Sequence, residues 1–261
     1  MRENRLRSFG LRAASILTLV VLWWAGSRLM GDPKVLPGPW RIAQTIFANL
    51  TTPGPEGESA FFDIAITLAR IFVTFSAAML AGLGIGLAMG LSRIVERSLL
   101  ALIPLLLTMP TVLMVFLAIM WFGYSEAGGL AAVLVVVTPY VAVNMYEGAK
   151  AMDKSLIEMA RTFRASRRLL LRRVYIPQLM PYIFSAFRYA FGMTWKIVAL
   201  AETFGLKYGI GYMFSFWFEQ FNMAQVLAWV ILFVILMLIL EHAVFARLEA
   251  RAFAWRPSHS F

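Results

Sequence analysis

The chain has 261 residues, of which 61% are hydrophobic and 15% charged, and its mean hydropathy is +0.74. Average soluble domains are about 45–50% apolar and about 25% charged, so this composition excludes an ordinary water-soluble protein and indicates one that uses lipid as its solvent. The absence of cysteine excludes disulfide scaffolds, thiolate metal sites and cysteine nucleophiles, and the net charge of +10 calls for an account of where the basic residues lie.

Six segments are long and apolar enough to cross a membrane, because about 20 apolar helical residues span a hydrocarbon core about 30 Å thick. They are approximately Ala13–Met30, Ile64–Leu91, Leu99–Phe122, Leu130–Met145, Leu179–Ala201 and Val226–Ala246. We therefore predict an all-α, polytopic membrane protein with a six-helix transmembrane domain, 13–246, and short tails at 1–12 and 247–261. The first segment is too long for the apolar part of a cleavable signal and is interpreted as a retained helix.

The basic residues are concentrated in the segments that six spans place on one side of the membrane. That side holds both chain ends, the turn after the second span and the loop 149–177, and it carries most of the 24 Lys and Arg. The opposite side carries only Arg28, Lys34, Arg41 and Lys207. The positive-inside rule predicts that both termini are cytoplasmic, and this bias explains the charge without nucleic acid as a partner.

A proline-rich external stretch, 31–63, lies between the first two spans. Pro39 suits the first turn of a helix, and apolar residues follow at helical spacing as far as Leu50. A short helix on the outer membrane interface is one interpretation, and a loop that packs on the bundle is the other.

Three glycines in the second span form a stripe that favours close helix packing. Gly82, Gly86 and Gly90 recur at every fourth residue, so they share one face on which another helix backbone can approach. The packing partner is expected within the protomer or in a second one. The Gly82, Gly84 and Gly86 series is not a dinucleotide fingerprint, because it lies within an apolar span and no strand precedes it.

Ionisable residues inside the spans are candidates for a translocation pathway, since a charge at membrane depth is costly and usually faces protein or water. Lys196, beside Trp195 in the fifth span, is the preferred group to face an anion. Arg70 either attracts substrate or snorkels to the outer interface. Glu202 could pair with Lys196 or Arg70, or shape an outer gate.

Two prolines, Pro104 and Pro110, should kink the third span. A kink exposes backbone groups beside Thr108 and Met109, and exposed backbone at membrane depth must line protein or water. We therefore predict a constriction of the pathway at Thr108, Met109 and Pro110.

The loop 149–177 is too regular and too charged to be a simple connector. Ser155 and Glu158 fit a capping box, which predicts a short helix that begins near Leu156. Its apolar strip consists of Leu156, Met159, Ala160 and Phe163. Ser166 can cap a second, arginine-rich helix. Two such helices indicate a partner protein, and the alternative is an amphipathic hairpin on anionic lipid.

No catalytic motif is present in the sequence. It has no His-x-x-x-His, no Gly-x-Ser-x-Gly and no Gly-x-x-x-x-Gly-Lys-Ser/Thr, the motifs of zinc proteases, serine hydrolases and phosphate-binding loops. We therefore predict a protein that is not an enzyme, with no metal, no cofactor and no nucleotide site of its own.

Several short motifs, each weak alone, form a consistent series. In the loop they are Glu158-Met159-Ala160, Arg164-Ala165-Ser166 and Val174-Tyr175-Ile176-Pro177; elsewhere they are Ser92-Arg93, Met109-Pro110, Trp121 to Glu126, Trp195, Ala201-Glu202 and Gly209 to Tyr212. The loop motifs resemble the EAA-loop signature of ABC importer permeases, the binding-protein-dependent transport inner-membrane components. The whole series, from about Leu36 to Arg251, is similar to the nitrate/sulfonate/taurine branch.

Two positions depart from the family pattern. Arg164 stands where the family has glycine, and Met159 replaces an alanine. Glycine suits a positive φ, so the arginine either costs about 1–2 kcal/mol or the turn has a different shape.

The resemblance implies a type I ABC importer permease fold in the bacterial plasma (inner) membrane. It also implies partners: ATPase subunits that bind ATP and Mg²⁺, a periplasmic or lipid-anchored substrate-binding protein, and a second permease copy in a homodimer. The implied ATPase-coupling residues are Ser155, Leu156, Glu158, Met159, Ala160, Phe163, Arg164, Ala165 and Ser166.

The solute implied by this branch is a small anion such as nitrate, a sulfonate or a taurine-like compound. One alternative is the same type of permease for a neutral or cationic heterocycle such as a vitamin precursor. An alternative of another class is a self-contained channel or secondary transporter, which predicts inverted repeats that the two halves of the sequence do not show.

Overall fold

The computed structural model describes the backbone of residues 2–252 and the side chains of residues 10–11 and 14–243. Within that range the chain is helical and contains no strand. The helices are α1 (Arg2–Met30), α2 (Pro39–Thr51), α3 (Ala60–Leu91), α4 (Arg93–Leu99), α5 (Leu102–Thr108), α6 (Thr111–Phe122), α7 (Glu126–Lys150), α8 (Lys154–Thr162), α9 (Arg167–Leu170), α10 (Ile176–Gly205), α11 (Ile210–Glu219) and α12 (Met223–Ala252), with a π-helical turn at Leu171–Tyr175. The all-α prediction is confirmed.

Three helices are long and apolar enough to cross a membrane: Ala60–Leu91, Glu126–Lys150 and Met223–Ala243. A bent pair, Arg93–Thr108 with Thr111–Phe122, raises the number to four if it forms one span. The apolar part of α1, Ala14–Met30, is shorter, and α10 has 30 residues but carries cations within its length. Six spans therefore remain a prediction.

The predicted third span is broken instead of merely kinked. Its two helical arms, ending at Thr108 and beginning at Thr111, meet at 104°. Met109 has extended backbone angles because a residue before proline disfavours the helical region, and Pro110 has no N–H to continue the ladder. Pro104 lies in the first turn of α5, where a missing N–H is tolerated, so the break occurs at Pro110 and not at Pro104.

The core is built around α3 and α7, which pack along most of their length. Gly82, Gly86 and Gly90 all face α7: a Cβ at these positions would collide with Val141, with the Ala142 carbonyl and with Ala149. The glycine stripe therefore packs within the chain. Val133, Val137 and Val141 of α7 are fully buried behind it.

The predicted tails are helical as far as the structure describes them. The amino-terminal tail, 1–12, is part of α1 from Arg2 onward, and the carboxyl-terminal tail, 247–261, is helical as far as Ala252. Residues 253–261 of that predicted tail lie outside the described residues. In the stretch 31–63, α2 begins at Pro39 and packs against α12, where Nδ2 of Asn49 donates to Oε1 of Gln225 at 2.8 Å.

Candidate translocation and coupling sites

The segment after α7 is attached to the bundle at its start and exposed along its length. The backbone N–H of Asp153 donates to Oε1 of Gln178 in α10 at 2.7 Å, which ties the start of α8 to a later helix. No residue of α8 is buried. Leu156, Met159 and Phe163 are 40%, 52% and 81% exposed. α8 therefore presents an uncovered apolar strip.

The capping-box prediction for α8 is wrong, because Asp153 and not Ser155 caps the helix. Oδ1 of Asp153 accepts from the backbone N–H of Ser155 at 2.8 Å and from its hydroxyl at 2.7 Å. The hydroxyl first, and then the backbone N–H, lower the pKa of Asp153, since both bonds favour the ionised carboxylate. With Asp153 as the cap, Glu158 lies in the second turn, too far along to reach back to the cap. Its exposed carboxylate has no partner among the described side chains.

The end of α8 has the geometry of a Schellman motif. The N–H of Ala165 donates to the carbonyl of Ala160 at 3.0 Å, and the N–H of Arg164 donates to that of Arg161 at 2.9 Å. Arg164, the second of these donors, has φ 53°, so it occupies the left-handed position, for which the family signature has glycine. The turn keeps its shape, and the arginine carries the strain.

A continuous helical stretch joins this turn to α10. Oγ of Ser166 accepts from the N–H of Leu169 at 3.3 Å, which confirms Ser166 as the cap of an arginine-rich helix. α9, the π-helical turn at 171–175 and α10 follow without a break. One continuous helical stretch therefore leads from the turn after α8 into α10.

The opposite end of the bundle contains a buried guanidinium whose five N–H groups are all bonded. Arg70 of α3 donates through Nε and Nη2 to the Glu126 carboxylate at 2.9 and 2.5 Å, and through Nη1 to Oε1 of Glu202 at 2.8 Å. Its remaining donors reach the carbonyls of Lys207 at 2.9 Å and Tyr208 at 2.7 Å. Because a guanidinium has five donors, Arg70 is saturated.

The Glu202 carboxylate is fully buried in the last turn of α10, and its partners come from two elements, α3 and α11. The hydroxyl of Thr67 lies 2.9 Å from Oε1, and the N–H of Gly211 donates to Oε2 at 2.9 Å. Arg70 supplies the compensating charge. A buried charge is tolerated only when it is paired and hydrogen-bonded in this way.

The turn between α10 and α11 is shaped around that carboxylate. Gly209 has φ 106°, and a Cβ at this position would lie 2.5 Å from the carboxyl carbon of Glu202. Its N–H donates to Oδ1 of Asp63 at 2.8 Å, and the next N–H, of Ile210, donates to the Thr67 hydroxyl at 2.9 Å. Only glycine meets both the backbone and the space requirements here.

These contacts, which we call the Arg70 network, join α3, α7, α10 and the α10–α11 turn. Arg70 neither snorkels to an interface nor presents a free cation, and Glu202 pairs with Arg70 and not with Lys196. A saturated set of bonds holds helices in place and leaves no donor for a solute.

The sequence contained a signal for this network that the initial interpretation missed. Asp63, Thr67, Arg70 and Thr74 recur at helical spacing in an otherwise apolar helix, and all four are buried. Such a polar stripe indicates an internal polar contact. Glu126, which begins α7, had no comparable signal.

The predicted constriction lies at the break between α5 and α6. Thr108 and Met109 are exposed, and the Thr108 hydroxyl donates to the carbonyl of Leu105 at 2.9 Å. Pro110 caps α6. No described hydrogen bond links these residues to Lys196, and a constriction here remains a proposal.

Lys196 is exposed and lines an apolar cavity. Its Nζ lies 5.4 Å from the centre of the Trp195 ring, and that ring packs edge-on against Phe233 at 5.5 Å. A cavity of about 300 Å³ lies between α10, α11 and α12. Among the side chains that line it, Thr203 and Trp229 accompany Lys196 as polar groups.

Comparison with known sequences identifies a transport family. The profile described as "Binding-protein-dependent transport system inner membrane component" matches residues 78–253, more than half of the chain. The matched part includes α8, the turn at Arg164, Lys196 and Glu202.

Two curated relatives are similar over nearly their whole length. The taurine transport system permease protein TauC of Escherichia coli (strain K12) is 28% identical over 95% of this chain and 90% of its own. The formylaminopyrimidine transport permease protein ThiX of Halalkalibacterium halodurans is 29% identical over 92% of this chain and 93% of its own.

A solved structure shares the fold. A methionine ABC transporter in an inward-facing conformation superposes with a TM-score of 0.60 at 16% identity, over 81% of this chain and 96% of that one. The chain thus has the helical fold of a type I ABC importer permease.

Proposed function

The chain belongs to the family of binding-protein-dependent transport system inner membrane components, and we propose that its exposed α8 is the contact for separate ATPase subunits. The protein is the permease subunit of an ABC importer. The nine coupling residues from Ser155 to Ser166 are assigned to the ATPase contact, and ATP and Mg²⁺ to the partner subunits.

The main support for this proposal is that α8 exposes an apolar strip while its start is hydrogen-bonded to α10. Its apolar strip is uncovered, although an apolar surface outside the membrane is costly without a partner. Its start is bonded to Gln178, and a four-residue turn at 163–166 joins its end to the helical stretch that continues into α10. A subunit that binds the strip would therefore move the helix that carries Lys196 and Glu202.

The remaining assembly follows from the family. We assign a substrate-binding protein to the outer side and a second copy of this chain to a homodimer. We also assign six spans over 13–246, with both termini in the cytoplasm of a bacterium and the spans in its inner membrane. The distribution of Lys and Arg agrees with this topology. The stretch 31–63 then carries α2 at the outer interface, and 149–177 is the cytoplasmic coupling loop.

We propose that the solute is a small anion. TauC is named for taurine, a sulfonate, and Lys196 is an exposed cation in a family-matched helix. ThiX, named for formylaminopyrimidine, supports the alternative of a neutral or cationic heterocycle. Trp195, Lys196, Thr108, Met109 and Pro110 are the pathway candidates, and Arg70 and Glu202 position the helices around them.

Copurification tests the ATPase contact. The tagged full chain is expressed with a candidate ATPase subunit from the same organism, and we expect the two to purify together in detergent. The double variant Leu156→Asp/Phe163→Asp should lose the ATPase, whereas Phe221→Asp, a change at an exposed phenylalanine of the opposite end, should retain it. Solute flux in proteoliposomes without ATP would instead support a self-contained channel.

A further inference from the structure

α10 has two chemically different halves. One half packs on α3, α7 and α11, and its buried residues are Leu179, Ala186, Ala190, Phe191, Thr194, Ile197, Val198, Ala201, Glu202 and Gly205. The other half is open and carries, at helical spacing, Arg188, Gly192 and Lys196. A Cβ at Gly192 would meet no atom within 4 Å. We call these three residues the cationic stripe.

Both cations of the stripe lack a counter-charge. Among the described side chains, none forms an ion pair or a hydrogen bond with Arg188 or Lys196, and Nζ of Lys196 lies over the Trp195 ring. The carboxylate on the same helix, Glu202, lies on the buried half and is bonded to Arg70.

In the proposed six-span arrangement, in which α10 crosses the membrane, the stripe lies at membrane depth. A 30-residue helix is about 45 Å long, and a core about 30 Å thick centred on it leaves about 8 Å outside at each end. Arg188 lies about 18 Å and Lys196 about 30 Å from the Ile176 end, so both are inside the core. Cations inside the hydrocarbon core almost always face protein or a water-filled cavity and not lipid tails.

In the proposed two-fold dimer, a stripe that lies along the symmetry axis meets its own copy, so the second copy adds like charges there and no counter-charge. Water and an anion between the two stripes resolve that repulsion. Resting on the proposed permease function, we propose that Arg188 and Lys196, about 12 Å apart on either side of Gly192, form a binding site for an anionic solute in the translocation pathway.

A single cysteine at Gly192 tests this site without knowledge of the natural solute. The chain has no cysteine, and the position has room for a side chain, so Gly192→Cys is a unique probe. Native membrane vesicles with the full transporter are treated with an anionic or a cationic methanethiosulfonate reagent. Each rate is divided by the rate of the same reagent with a free thiol in solution, because a thiolate repels an anionic reagent. We expect the corrected rate of the anionic reagent to be at least about tenfold higher, because a cationic pathway concentrates anions.

Two comparisons make the result specific. Arg188→Gln and Lys196→Gln in the Gly192→Cys background should each lower the ratio of the two rates several-fold. Gly84→Cys on α3 is the matched control: Gly84 is also open to a Cβ, but its neighbour Ile85 and nearby Leu80 are exposed apolar residues. This cysteine should react with neither reagent in the membrane and with both in SDS.

The possible outcomes separate the two proposals. No labelling of Gly192→Cys in the membrane would mean that the stripe faces lipid or packed protein, and a rate ratio near one would mean that a partner neutralises the cations. Either outcome overturns the anion site, even if the ATPase copurifies. Charge-selective labelling in a chain that binds no ATPase would support the site and refute the importer assembly.

Discussion

Arg70 and Glu202 form a buried ion pair, 2.8 Å between Nη1 and Oε1, that joins the third turn of α3 to the last turn of α10. The two residues are 132 positions apart in the sequence, and their side chains are 8% and 0% exposed. α3 also packs on α7, and α10 leads back to α8. The pair therefore fixes the end of α10 opposite to the coupling loop.

Removal of one member of this pair should destabilise the protein strongly. Arg70→Gln leaves the Glu202 carboxylate buried without its counter-charge, and we expect a loss of about 3–5 kcal/mol in the free energy of unfolding. Thermal unfolding of the purified full chain in one detergent measures the change. Glu126→Gln is the control: its side chain is 67% exposed, and the loss should not exceed about 1 kcal/mol. Equal losses in the two variants would contradict the assigned role of Glu202.

The glycine at 209 should tolerate no side chain. Gly209→Ala adds a methyl group against the Glu202 carboxylate and also has to adopt φ 106°, so it should cost more than backbone strain alone. Gly57→Ala provides the matched comparison, since Gly57 has φ 85° and no atom lies within 4 Å of its Cβ position. We expect about 1–2 kcal/mol for Gly57→Ala and a clearly larger loss for Gly209→Ala. If the two melting temperatures fall equally, the turn does not depend on Glu202.

The arginine at the end of α8 is a strained substitute for glycine. Arg164→Gly should relieve the left-handed strain and stabilise the Schellman turn by about 1 kcal/mol. Hydrogen exchange should show slower exchange of the Ala165 amide, which donates to Ala160. Arg161→Gly has the same change of composition inside the helix, where glycine costs about 1 kcal/mol, and should accelerate exchange. Faster exchange in Arg164→Gly would show that the arginine side chain stabilises the turn.

Glu158 of α8, the proposed coupling helix, should matter for the coupling of ATP hydrolysis to transport and not for folding. Glu158 is exposed and unpaired among the described residues, so Glu158→Lys should leave the protein inserted. We expect ATP hydrolysis by the assembled transporter to lose its dependence on solute and binding protein. Glu219→Lys, an exposed glutamate at the opposite end of the bundle, reverses the same charge and should leave ATP hydrolysis dependent on both. Normal coupling in Glu158→Lys would remove this residue from the ATPase contact.

Local signals predicted the helices of the loop 149–177 better than the polar interior. The apolar strip at Leu156, Met159 and Phe163 and the cap at Ser166 depend on spacing within one helix, and sequence patterns report such spacing directly. The contact of Arg70 with Glu202 depends on where two distant helices pack, which no local pattern reports. The charge of Arg70 alone indicated an intramembrane site, but not that all five donors were occupied.

Competition between neighbouring acceptors explains the error at the start of α8. Ser155 and Glu158 have the spacing of a capping box, but Asp153 lies two residues earlier and offers an ionised acceptor, which forms the stronger bond. Two residues also have to be compared in the third span, where Pro104 and Pro110 together predicted a kink. Only Pro110 follows a residue that leaves the helical region, and only there is the helix broken.

The N-cap at Asp153 should make the coupling helix sensitive to acid. Its pKa lies below the ordinary value of 3.8 because the Ser155 hydroxyl and N–H bond to the ionised form. A lowered carboxyl pKa stabilises the folded helix above the unfolded pKa, and that contribution disappears as the pH falls through the folded pKa. We therefore expect amide exchange in Lys154–Thr162, corrected for intrinsic rates, to accelerate as the pH falls from 5 to about 3.

Asp153→Asn keeps a neutral cap and should remove this pH dependence. Ser155→Ala removes the hydroxyl donor, so the acceleration should shift to higher pH. An unchanged profile in both variants would show that another group controls the start of α8.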